Sequence, residues 1–142
     1  MAPPLRLHHI GFVVANIETA MPEFLRSLAA EWDGQVFHDP LQKVRVAFLA
    51  TRAQDPAIEL VEPAGDGSPV LRFLQRRGGG LHHVCYEVAD LEEELAAFRS
   101  RGASIAKRPL PAVAFGGRRI AWVITSEKLL VELLEEAVGE KR

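Results

Sequence analysis

The sequence predicts an α+β fold built from two tandem copies of one β-α-β-β-β module. Three matches lead there. "LHHIGFVVANIE" from Leu7 falls on "LHHVCYEVADLE" from Leu81, 74 positions on. "VAFL" from Val46 falls on "IAWV" from Ile120 at the same offset, and "IELVE" from Ile58 falls on "VELLE" from Val131 at an offset of 73. Three blocks in one order at nearly one offset mark a duplicated unit, and a repeat has to be found before elements are assigned.

Each copy opens on an apolar, β-rich run: Ile10, Phe12, Val13 and Val14 in the first, Val84, Cys85, Tyr86 and Val88 in the second. Asn16 and Asp90 then stand where a helix N-cap belongs, and Glu93 follows Asp90 by three in a capping-box arrangement. The helices are expected at about Ile17–Ala30 and Leu91–Arg101, with Leu91, Leu95 and Phe98 at helical spacing and Gly102 as a stop. Pro22 is tolerable in the first helix because it lies near its first turns. Three strands follow in each copy. They are expected near Gln35–Phe37, Val44–Thr51 and Ala57–Glu62, then near Ser104–Lys107, Arg118–Thr125 and Leu129–Leu134. Between the copies, Ser68-Pro69 reads as cap and first helical residue of a short amphipathic helix, "VLRFLQRR", ended by the glycines at 78–80. The expected organisation is a single domain over residues 1–142, with module one at about 6–62, a connector helix within 63–80 and module two at about 81–136.

Bulk properties narrow the function. A chain of 142 residues with 48% hydrophobic content can bury a core of its own. A formal net charge of -2 supplies no cationic field for nucleic acid or anionic lipid. The start, "MAPPLRLHH", holds no apolar run of signal-peptide length, and no stretch approaches the roughly 18 apolar residues of a membrane span. Cys85 is the one cysteine, so no internal disulfide can form; within an apolar strand it reads as core. These features predict a soluble cytoplasmic protein.

The repeated polar residues carry the chemistry. Alternate side chains of a strand face opposite sides. His9 shares a face with Gly11 and Val13, while His8, Ile10, Phe12 and Val14 share the helix-packing face; the repeat gives His83 the same placement as His9. By the same alternation Glu59 turns away from Ile58 and Leu60, and Glu132 away from Val131 and Leu133. A lone His-His pair is weak evidence, and a lone "VELLE" is usually the wet side of an edge strand. The joint recurrence is stronger: if the modules pair about a pseudo-twofold axis, two imidazoles and two carboxylates can converge. Such a set suits Zn²⁺, Ni²⁺, Co²⁺, Fe²⁺ or Mn²⁺ with places left for substrate. The remaining candidates have plainer readings. His8 and His82 are helix-side or edge residues, and His38 lies in the turn-like "FHDP" at the surface. Phe48 and Trp122, equivalent in the repeat, are core or pocket wall. Arg118 and Arg119 could meet a phosphate or carboxylate, but a solvated hairpin is the commoner case; Glu87, on the face of His83, more often ends a strand at the surface.

The stretches "HHIGFVVANIETA", "KVRVAFLA", "IELVEP", "SPVLRFLQRRGGGLHHVCYEV" and "LLVELLE", covering roughly Leu7 to Glu135, resemble the vicinal oxygen chelate superfamily of glyoxalases, bleomycin-resistance proteins and dioxygenases, most closely its methylmalonyl-CoA epimerase branch. The resemblance implies a curved mixed sheet around a central metal cavity and metal ligands at His9, Glu59, His83 and Glu132. It implies a homodimer, one divalent ion, and an acyl-CoA such as methylmalonyl-CoA as substrate. The activity implied is an isomerase: an epimerase whose metal polarises a thioester carbonyl while carboxylates, Glu132 nearest and Glu59 opposite, move the α-proton. A glyoxalase I-like lyase and a non-catalytic binding protein of the same fold are the alternatives. Two departures stand out. Val46 occupies the position at which some epimerases carry a second catalytic Glu, and the polar loop before the last strand is shortened to Ser126-Glu127-Lys128.

Overall fold

The computed structural model describes residues 5–137. Its elements run β1 (Arg6–Val13), α1 (Ile17–Leu28), β2 (Phe37–Asp39), β3 (Val44–Leu49), β4 (Ala57–Pro63), α2 (Leu71–Arg77), β5 (Gly80–Val88), α3 (Leu91–Ser100), β6 (Ser104–Pro111), a single 3₁₀ turn (Val113–Phe115), β7 (Arg119–Ile124) and β8 (Leu130–Glu135). This is the doubled β-α-β-β-β order, with α2 as connector, in an α+β fold. Of the described residues, His9–His82 form one compact unit, and residues 5–8 with 83–137 form the other.

Strand order is the same in the two copies: β2-β3-β4-β1 and β5-β8-β7-β6. In each, the first strand pairs parallel with the last (β1 with β4, β5 with β8), while the other pairings are antiparallel. The parallel pairing needs a crossover, and the helix after the first strand supplies it. The β6–β7 ladder slips twice, between Ile105 and Lys107 and between Lys107 and Leu110, as bulges at a sheet edge do.

Both expected caps form: Asn16 Oδ1 accepts from the Thr19 N–H at 2.8 Å, and Asp90 Oδ1 from the Glu93 N–H at 2.9 Å. The cores match residue for residue. Val14, Ile17, Met21, Ala47, Leu49 and Leu60 pack together with Phe12 and Phe24 in one unit. Their repeat equivalents Val88, Leu91, Leu95, Ala121, Val123 and Leu133 pack with Phe98 in the other, where Leu5 from the start of the chain joins them. The helix therefore covers one face of its own sheet in each copy, which leaves the opposite face to the histidines.

Several local expectations need correction. The second strand lies at Phe37–Asp39, two residues later than expected, because Val44–Asp39 and Val46–Phe37 pairing fixes its register; His38 is thus an exposed strand residue rather than part of a turn. Ser68 does not cap α2. The helix begins at Leu71 after a turn in which the Leu71 N–H donates to the Ser68 carbonyl, and no side chain caps it. Its end is as expected: Gly78 takes the left-handed conformation at φ 74. Gly79 is required for a second reason, since at φ +104 a Cβ there would sit 2.7 Å from the Val13 carbonyl oxygen. The shortened loop before β8 is a tight hairpin in which the Thr125 N–H donates to the Leu129 carbonyl and Lys128 sits at φ 70.

Candidate functional site

The two histidines and two glutamates form two like pairs. In the first unit His9 is fully buried on β1 and its Nε2 lies 3.4 Å from Oε1 of Glu59 on the neighbouring β4. In the second, His83 Nε2 on β5 lies 3.4 Å from Glu132 Oε1 on β8, with both side chains nearly buried. The register explains the match. Glu59 stands opposite Gly11 on the parallel strand, and Glu132 opposite Cys85, so the carboxylate falls two residues past the imidazole in both copies.

An aromatic side chain sets each imidazole. Phe48 lies directly across the β3–β4 ladder from Glu59 and presents a T-shaped contact to His9, centroids 5.5 Å apart. Trp122 stands across from Glu132 and meets His83 in the same geometry at 4.7 Å. Each aromatic packs on a histidine, and Trp122 also packs against the core cluster of Cys85, Ala112, Ile120 and Leu134.

The donor set fits a cation. A divalent ion about 2.05 Å from an imidazole nitrogen and about 2.1 Å from a carboxylate oxygen, at a tetrahedral angle, holds the two donors about 3.4 Å apart. A direct N–H···O hydrogen bond would be shorter, roughly 2.7–3.2 Å. Burying a carboxylate is costly unless a cation compensates it, and both Glu59 and Glu132 are buried.

Alternation extends the His9 face through Val13, Val46 and Val61. Val46 is buried opposite Val61. Val13, Val46 and Val61 carry no ionisable group. The equivalent face of the second module is covered by Cys85, Ala112, Ile120 and Leu134, so the cysteine is core as expected.

Three sets of polar residues were misread or missed in the sequence. Arg118 and Arg119 are not a solvated hairpin. Arg119 donates through Nε and Nη2 to Glu135, and through Nη2 to Glu92 at 2.9 Å. The first copy repeats this: Arg45 donates to Glu18 at 2.6 Å and to Glu62 at 2.8 Å, and Glu62 also accepts the Ile17 N–H that opens α1. Each helix start is thereby pinned to its sheet by one arginine between two glutamates. The bond from Arg119 holds the Glu135 carboxyl below the usual carboxylate range, and that from Arg45 does the same for Glu18. The repeat itself was the available signal, since Glu18, Arg45 and Glu62 match Glu92, Arg119 and Glu135. Glu87 is buried rather than at the surface, paired with Arg6 and, at 2.7 Å, with Arg118.

A duplicated βαβββ module with a histidine on its first strand and a glutamate on its last defines a class. The chain belongs to the glyoxalase/bleomycin resistance protein/dioxygenase superfamily, whose model matches residues 8–122. It is 31% identical over 119 residues to the ethylmalonyl-CoA/methylmalonyl-CoA epimerase of Cereibacter sphaeroides, covering 83% of this chain and 87% of that one. An uncharacterised Bacillus subtilis protein, YqjC, is 35% identical over 132 residues, covering 92% and 91%. Among solved structures, methylmalonyl-CoA epimerase from Mycobacterium tuberculosis superposes with a TM-score of 0.81 at 26% identity, covering 93% of this chain and 88% of that one. No helix among the described residues is long and apolar enough to cross a membrane.

Proposed function

We propose that the chain is a metal-dependent epimerase-like enzyme that moves a proton α to a carbonyl, with an acyl-CoA thioester such as methylmalonyl-CoA as substrate. In this reading His9, Glu59, His83 and Glu132 hold one divalent cation together. The observation that carries it is the pair of buried His–Glu contacts, each with the same 3.4 Å separation of donor atoms. The epimerase relatives support the choice of reaction.

A bound divalent ion would supply Lewis acidity at the thioester carbonyl and so acidify the adjacent α-hydrogen. The chain's own residues do the rest. His9 and His83, each packed against an aromatic ring, offer the nitrogen donors. Glu132, entering as carboxylate, takes the α-proton and becomes the acid; Glu59, entering as the acid, gives its own proton to the opposite face, and exchange with solvent between turnovers resets the two. Position 46, where some epimerases would carry a second glutamate, is valine and moves no proton. His83 and Glu132 are themselves buried, which preserves the strength of that pair's charges.

The test is deuterium uptake. Metal-loaded protein incubated with methylmalonyl-CoA in D₂O is expected to label the α-carbon, and Glu132→Gln is expected to stop labelling. Absence of label with wild-type protein overturns the substrate assignment.

A further inference from the structure

Comparing the two copies position by position shows where the symmetry fails. His9 and His83 match, as do Glu59 and Glu132, and Phe48 and Trp122. Val13 and Val44, however, correspond to Glu87 and Arg118. In the first module those positions are buried apolar side chains, 1% and 6% exposed. In the second they form an ion pair in which Glu87 is 2% exposed. A buried ion pair is seldom worth more to folding than a well-packed apolar pair, and the first module demonstrates that the apolar solution works in this fold. The charges therefore call for another explanation.

Their bonding suggests one. Glu87 accepts from Arg6 through Oε1 and from Arg118 through Oε2. Two guanidiniums thus share the Glu87 carboxylate. Arg118 spends only Nη1 on the protein, donating it to Glu87 and, at 3.3 Å, to the Glu135 carbonyl. Among the described residues its Nε and Nη2 donate to nothing, and its guanidinium lies 5.8 Å from the Phe115 ring centroid. That is a cation anchored at one corner with its two-pronged edge uncommitted, the edge that grips a carboxylate or phosphate. Arg119, next in sequence, has committed Nε and Nη2 to Glu135 and Glu92. Alternation places Arg118 on the same sheet face as Ile120 and Trp122, hence on the face of His83 and Glu132.

We infer that Arg118, oriented by the buried Glu87, is an anion receptor that selects substrates carrying an oxyanion, a carboxylate or phosphate, in addition to the reacting carbonyl. This deepens the epimerase-like reading and rests on it only in calling the anion part of a substrate; binding can be tested without turnover.

The experiment follows the Arg118 side-chain ¹⁵Nε–¹Hε resonance of Zn²⁺-loaded protein at constant ionic strength as malonate or inorganic phosphate is added. A saturable shift at Arg118, with Arg119 unmoved, is expected for at least one of them. Response to malonate alone assigns the receptor to an acyl carboxylate, and response to phosphate assigns it to a phosphate-bearing carrier. In Arg118→Gln the affinity should fall about tenfold or more, the loss of one charge-assisted contact, read as the disappearance of the anion's effect on melting temperature. If that variant fails to fold, the wild-type resonance still decides. No saturable shift with either anion, or equal shifts at Arg118 and Arg119, overturns the inference. Deuterium uptake from methylmalonyl-CoA failing while Arg118 still binds removes that substrate and leaves the receptor.

Discussion

Removing one histidine should cost the protein nearly all of its stabilisation by metal, because the proposed ion needs both pairs. At a free Zn²⁺ concentration a hundredfold above the dissociation constant, binding stabilises the native state by about 2.7 kcal/mol. Unfolding entropy of roughly 2.1 cal/mol/K per residue, over 142 residues, comes to about 0.3 kcal/mol/K. Stripped wild-type protein should therefore melt about 9 °C higher once the ion is added. Deleting an inner ligand should weaken affinity at least about a hundredfold, the upper end of what loss of an outer partner costs. At the same metal concentration His9→Ala and His83→Ala then retain only about 0.4 kcal/mol, a rise of roughly 1 °C. Scanning fluorimetry gives the shifts and native mass spectrometry counts the ions. Two ions per chain, or variants that each keep half of the rise, would mean that each His–Glu pair binds alone and that the shared site is wrong. No rise in wild type would remove the cation altogether.

The arginine staples give a graded expectation. Arg45→Met should cost about 1–2 kcal/mol in urea unfolding, since it strands the mostly buried Glu62, whereas Arg119→Met, whose partners Glu92 and Glu135 are more exposed, should cost under about 1 kcal/mol. Arg119 lowers the folded-state pKa of Glu135 from 4.5, so its contribution is complete above that value and disappears as pH falls through the lower folded one; Arg119→Met should flatten the acid side of the stability profile. Gly79→Ala combines a left-handed backbone with a clash on the Val13 carbonyl and should destabilise by about 1–3 kcal/mol in the same assay.

How much of this was legible depends on the range of the interaction. The caps at Asn16 and Asp90 are local, with donor and acceptor three residues apart, and both form as expected. The His–Glu pairs span 50 and 49 positions, yet duplication exposed them, because an unrelated surface glutamate would not recur at the same place. The strand at Phe37–Asp39 was placed early because its register is set by pairing with β3, not by its own residues. Glu87 looked like the wet end of a strand because its two arginines come from positions 6 and 118. The Glu–Arg–Glu staples were present in the repeat but carried by charged residues, which periodicity treats as filler.

The mismatch between Val13/Val44 and Glu87/Arg118 shows what duplication within one chain permits. Two copies of a half-length chain would carry every side chain twice, so a charge gained on one would be gained on the other. Fusing the halves into one polypeptide lifts that obligation: the second took on an ion pair while the first kept its apolar packing.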